Sequence, residues 1–220
     1  MSAIASRFLT TILGPRVPEA ELMGHATRYA APNLVLLLAR VALLSSLFLP
    51  YWRMTLRAPQ YPQGLHVQAY LDRLQGDVAE IDSLNHYIGM RPLGEAAQFE
   101  RTLAVAATVA LILLIEGAVL IHNRWAALLA LPAILFPVFF LLDLYYWMNR
   151  FGHELNPHAP LSTSIKPFTP PILGTGKVGQ FSTVASAGPG LVLATVAAVL
   201  VLVGLYLHRR AYKPLVDARK

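Results

Sequence analysis

The chain has 220 residues, no cysteine, 14% charged residues and a formal net charge of +6. A soluble domain carries about 25% charged residues. The deficit, with 55% hydrophobic residues and a mean hydropathy of +0.51, points to a lipid-embedded chain, where charge is expensive. The lack of cysteine excludes disulfides, thiolate metal sites, covalent haem attachment, iron–sulfur clusters and copper centres built on a cysteine sulfur. The basic residues are spread over loops and tail rather than along one face, which argues against nucleic acid as a partner.

Residues 1–32 form an N-terminal segment. Within it Ile4, Phe8 and Ile12 recur about once per helical turn. That spacing reads either as a short amphipathic helix over residues 3–13 on the inner membrane face or as an unstructured tail. No small-residue cleavage site follows its apolar run, so no cleaved signal is expected. Four apolar stretches then approach the roughly 20 residues needed to cross the hydrocarbon core. They are 33–52, 102–122, 125–148 and 190–208.

The tail, 209–220, holds Arg209, Arg210, Lys213, Arg219 and Lys220, and positive charge marks the cytoplasmic side. With an even number of spans the N-terminus is also inside. Asn123 and Arg124 join the second and third spans on that side. The outer loops are then 53–101 and 149–189. Tyr51, Trp52, Tyr145, Tyr146 and Trp147 fall at outer span ends, where amphipathic rings favour the headgroup level.

In the first loop, Trp52 to Arg57 and Leu65 to Leu71 alternate apolar and polar residues around a Pro- and Gly-rich stretch. This predicts two short strands in a hairpin. Residues 92–101 are expected as a helix leading into the second span. The second loop carries Pro157, Pro160, Pro167, Pro170 and Pro171 and is expected as extended irregular chain, anchored by Ile165, Phe168, Ile172, Leu173 and Phe181. The expected fold class is therefore all-α membrane: four transmembrane helices, both ends inside, and an outer cap of two loops that includes a short β-hairpin-like element.

Three ionisable residues fall inside the apolar spans: Arg40, Glu116 and Asp143. Such charges face the bundle interior and pair. Counting from the span ends puts Arg40 and Glu116 both roughly 10 Å from the inner surface at 1.5 Å per residue, so an Arg40–Glu116 ion pair is predicted. It either fixes helix packing or serves as an inner proton or subunit contact. Asp143, near the outer end of the third span, is expected to accept from Tyr145, Tyr146 or loop amides and to anchor the second loop. No second carboxylate shares its depth in the sequence count, so a paired acid/base site is not expected.

Seven histidines are present. His122 and His208 fall at inner span ends, where interfacial position explains them more simply than paired haem ligation. His86 and Met90 are four apart and would share one face of a helix. Thioether with imidazole suits Cu(I), and His153 is a candidate third ligand. The simpler reading gives His86 and His153 loop-to-loop hydrogen bonds. There is no strained-elbow nucleophile, and Gly174-Thr-Gly176-Lys177 lacks the rest of a phosphate-binding loop. An enzyme complete in itself is not expected.

Three blocks carry a resemblance. They are Tyr51-Trp52-Arg53 with Ala58-Pro-Gln-Tyr-Pro-Gln-Gly64-Leu65, then Leu84-Asn-His-Tyr-Ile-Gly-Met90, then Phe151-Gly-His-Glu-Leu-Asn-Pro157 with Pro170-Pro-Ile-Leu-Gly174. Together with the third span they resemble a group of four-helix bacterial membrane proteins. That group is encoded beside nitrous oxide reductase maturation genes and beside some nitric oxide reductase and related copper respiratory genes. The resemblance implies a place in denitrification at the bacterial inner membrane, and it names no catalytic residue.

The expected role is a non-catalytic accessory subunit or assembly factor of a copper-containing respiratory complex, with a haem–copper nitric oxide reductase as first partner. The spans would pack on the larger subunit through the small-residue face of Ala106, Ala107 and Ala110. The alternative is a membrane protein that holds Cu(I) through His86, Met90 and His153 and passes it to a reductase. A transporter fits less well, since no pair of spans is broken near its midpoint.

Overall fold

The computed structural model describes residues 17–122, 125–178 and 180–217. The proposed surface helix at 3–13, the Asn123–Arg124 connector and the last residues of the tail, Arg219 and Lys220, lie outside the described residues. The elements in order are α1 (Glu19–Gly24), α2 (Ala26–Ser46), β1 (Trp52–Ala58), β2 (Tyr61–Ala69), β3 (Leu74–Gly76), α3 (Val78–Ile88), a 3-10 turn (Leu93–Glu95), α4 (Gln98–Leu120), α5 (Trp125–His153), β4 (Gly174–Val178), β5 (Phe181–Ala187) and α6 (Pro189–Asp217). The helices α2, α4, α5 and α6 are each long and apolar enough to cross a membrane.

These helices do not end where hydropathy alone ends them. The first was expected over 33–52 but runs Ala26–Ser46. Pro50 cannot continue a helix, and Trp52 opens a strand instead. At the other end Ala26, Ala30 and Ala31 are strong helix formers, so the helix starts before the apolar run does. Likewise α6 continues through Arg209 and Arg210 to Asp217, and α5 past Met148 to His153. Between 92 and 101 a 3-10 turn and an extended Ala96 precede α4, in place of one continuous helix.

The chain divides into two compact units. One comprises Met1–Leu44, Ala107–Phe136 and Leu193–Lys220 and is helical in its described part. Its buried side chains are mostly small: Ala39, Ala118, Ala126, Ala130, Ala133, Ala194 and Ala197, with Leu36, Leu43, Ile115 and Val201 among them. Its large aliphatic residues point outward, including Leu34, Leu37, Val41, Leu113, Leu128 and Leu202. Gly204 leaves room for a neighbour's side chain: a Cβ there would lie 2.5 Å from the Leu36 side chain. Small residues at helix contacts are how helices pack when water supplies no driving force between them.

The other unit comprises Ser45–Ala106 and Pro137–Val192. It holds a five-stranded sheet of order β3-β2-β1-β5-β4, every pair antiparallel. The hairpin turn is shorter than the Pro/Gly-rich stretch suggested. Ala58 pairs with Tyr61, so Pro59 and Gln60 alone make the turn, and a register shift follows between Leu56 and Ala58. The alternation of β1 puts Trp52 and Met54 inside and Arg53 outside.

Both strands of the second loop were missed. β4 and β5 are rich in Gly, Ser and Thr and carry no apolar alternation strong enough to read. In the structure β5 pairs along β1 from Trp52↔Ala187 to Arg57↔Ser182. The two long loops therefore share one sheet. Trp52, Met54, Leu65, Val67, Ala69, Ile81, Leu93 and Ala185 form its core, against which Phe140, Leu144 and Met148 of α5 pack. The Trp52 indole N–H also donates to the Ile172 carbonyl at 2.6 Å.

Candidate functional site

The second and third sequence blocks meet. The Gly89 carbonyl accepts from the Asn156 N–H at 2.8 Å, and the Tyr87 carbonyl accepts from the Leu161 N–H at 2.9 Å. Gly89 closes α3 in the left-handed conformation, with φ 81°. This position favours glycine twice over, because a Cβ there would also lie 2.7 Å from the Asn156 carbonyl oxygen. Gly152 is as constrained on the facing side. Its carbonyl takes the Phe168 N–H at 2.9 Å, and a Cβ would overlap the Phe168 carbonyl at 1.8 Å. Ile88, Met90 and Phe151 are buried together, with Trp147, Leu155, Ile165 and Phe168 around them.

A charged rim borders this junction. Arg91 bonds Glu95 at 2.8 Å and lies 3.6 Å from Glu154. Arg150 donates to Glu154 at 3.0 Å and to the Tyr146 hydroxyl at 3.2 Å. These pairs are exposed, so solvent screens them and each contributes little to stability. Together they place four charges of alternating sign on one surface.

The three candidate metal ligands are placed differently from one another. α3 ends at Ile88, so Met90 lies beyond the helix and its thioether is buried in the apolar cluster. His86 is exposed at the end of α3, its ring against Tyr87. His153 is exposed, and its Nδ1 bonds the Asn149 carbonyl of its own helix at 2.8 Å rather than the first loop. Among the described residues, no group of three or more His, Asp or Glu is arranged to hold a metal ion.

Arg40 of α2 and Glu116 of α4 form a salt bridge, and the Arg40 Nε also donates to the Leu36 carbonyl at 3.2 Å. The pair is unevenly covered: 19% of the Arg40 side chain is exposed, against 45% of Glu116. Ala106, Ala107 and Ala110 are also exposed on α4. Asp143 lies half-buried on α5 beside Trp147, one turn further on.

Three further groupings escaped the sequence. His122 and His208 pack with parallel rings 5.2 Å apart, and Tyr212 covers both, at 3.9 and 4.6 Å. Tyr29 packs edge-on against Tyr212 and donates its hydroxyl proton to Glu21 at 3.1 Å. His208 is 4% exposed, and its Nε2 has no hydrogen-bond partner among the described residues. Position at helix ends was the only sequence signal for the imidazole pair. The third grouping is Tyr51, fully buried, whose hydroxyl lies 2.7 Å from the Ser46 hydroxyl and whose ring tilts against Phe140. Burial pushes the Tyr51 phenol up to about 12, and the Ser46 hydrogen bond offsets a part of that rise.

No family model matches the chain, and neither a curated protein nor a solved structure shows significant similarity to it.

Proposed function

We propose that this chain is a four-span integral protein of the bacterial inner membrane, with both termini in the cytoplasm. In that membrane it acts as a non-catalytic accessory subunit or assembly factor of a copper-containing respiratory complex. A haem–copper nitric oxide reductase is the first candidate partner. The observation that carries the membrane reading is the inverted burial of the helical unit, small residues inside and Leu and Val outside. In water so much exposed apolar surface marks a binding surface or an aggregation hazard. In lipid it is the solvent-facing side.

The accessory role is supported by what the loop blocks do. Their glycines, Met90 and Phe151 are used in holding the two long loops together, and the charged residues beside them form a fixed rim. Rigid loops presenting ordered charge suit recognition of a partner surface. The resemblance supplies the class of partner. Purification of the tagged protein from native membranes in mild detergent, with mass spectrometry and metal analysis of the eluate, tests this. A haem–copper reductase in stoichiometric amount is expected. A lone protein with near-stoichiometric copper would overturn the accessory reading in favour of Cu(I) handling.

A further inference from the structure

Glu116 lies four residues, about 6 Å at 1.5 Å per residue, inside the end of α4. The chain's own helices leave its carboxylate half open. Around it, Val109, Leu113 and Leu120 of α4 and Leu37, Val41 and Leu44 of α2 are all exposed. On α4 the positions 109, 113, 116 and 120 follow the three- and four-residue spacing of one helix face. On α2 the positions 37, 40, 41 and 44 do the same. A salt bridge thus sits in the middle of an otherwise aliphatic surface, and its anionic half is the exposed one.

In a bilayer this arrangement is incomplete. Ionisable groups within spans face protein or water, because lipid chains offer a carboxylate no donor. Arg40 occupies only part of the capacity of Glu116, since an ionised carboxylate accepts about four hydrogen bonds. We infer that the Glu116 face of α2 and α4 is a docking surface for a transmembrane helix of a different chain, one that presents a hydrogen-bond donor to Glu116.

The uneven exposure selects that occupant over a second copy of this chain. Two copies related by a two-fold axis would turn the exposed carboxylates toward each other, while the better-covered guanidinium groups stayed behind. Like charges in a low-dielectric setting repel strongly. A donor-bearing helix instead completes the carboxylate and covers the aliphatic residues on either side. The inference rests on the membrane reading above and adds to the accessory role a specific face, distinct from the alanines at 106, 107 and 110.

The test places a photo-cross-linking residue at Leu113, and separately at Leu128 on α5, in the full-length protein in native membranes. The expected result is one discrete adduct from Leu113 with a multi-span protein identified by mass spectrometry, and lipid adducts alone from Leu128. Glu116→Leu should lower the Leu113 adduct at least tenfold, and Glu116→Asp should retain it. If the leucine variant fails to fold, the adduct formed with Glu116 in place is still decisive. Lipid adducts alone at Leu113, or an adduct with a second copy of this chain, would overturn the inference. Stoichiometric co-purification of a reductase without a Leu113 adduct would overturn it and leave the accessory reading standing. No partner by either route would overturn both.

Discussion

The two units of this chain are stabilised by opposite kinds of side chain. In the sheet unit the buried set is large and varied: Trp52, Met54, Leu65, Val67 and Ile81 interlock as in any water-soluble core. In the helical unit the buried set is dominated by alanine, and most of the leucines and valines lie outside. The difference is what the proposed membrane setting would produce. Where water surrounds a unit, burying apolar area is the main driving force, at about 25 cal/mol per Å². Where lipid surrounds it, an exposed leucine loses nothing, and close backbone contact through small residues becomes the source of stability. Sensitivity to substitution should therefore run in opposite directions in the two units.

The largest expected effect is at Trp52. Trp52→Ala opens a cavity in the sheet core and removes the bond to Ile172, and large-to-small changes of this kind cost about 3–5 kcal/mol. Denaturant unfolding followed by proteolysis of the sheet segments checks it. Next comes the reverse substitution in the helical unit. Gly204→Leu drives a side chain into Leu36 and should destabilise by about 1–3 kcal/mol, whereas Leu128→Ala, on an exposed position, should stay within about 0.5 kcal/mol. If Leu128→Ala costs as much as a core change, the exposed faces are not lipid-facing and the contrast between the units fails.

The Arg40–Glu116 pair sharpens the contrast by a double-mutant cycle. Arg40→Leu or Glu116→Leu alone strands a charge, and the double variant should recover part of the loss, with a coupling of roughly 0.5–3 kcal/mol. Additive losses would mean that the two side chains do not act as a pair. A smaller loss is expected at Tyr51. Tyr51→Phe should cost roughly 0.5–1.5 kcal/mol by removing the bond to Ser46. Because the folded phenol is raised above its ordinary value of 10.0 to about 12, its contribution is complete below pH 10 and is lost as pH rises toward 12. The phenylalanine variant should lack that alkaline loss, which unfolding at pH 9 and at pH 11 would show.

The sequence made one of these units far easier to read than the other. The four long helices follow from hydropathy, since lipid selects composition over some 20 residues. Their ends did not follow, because helix termini obey backbone hydrogen bonding and propensity, as at Ala26 and Asp217, and not hydropathy. Arg40 and Glu116 are paired although the depth count used Asn33 as the start of α2 and the helix starts at Ala26. The hairpin of β1 and β2 was visible through its alternation. Helix α3 was not; in the structure Asp77, which opens it, accepts from the His66 N–H and makes no side-chain cap. The stacking of His122 on His208 depends on the packing of helix ends remote in sequence, which no local pattern reports.

The central position of β1 also sets a schedule for biogenesis. Its partner on one side follows after a two-residue turn, but β5, on the other side, comes from beyond Ile172, itself 120 residues away from Trp52. During synthesis the hairpin leaves the ribosome early and then waits, one edge unsatisfied, while α4 and α5 are made. An open edge is a template for any extended chain, and long-range pairing of this kind is slow. A chain interrupted before Gly174 would keep that edge permanently, so quality control that recognises unpaired strands would have a specific target in its truncated forms.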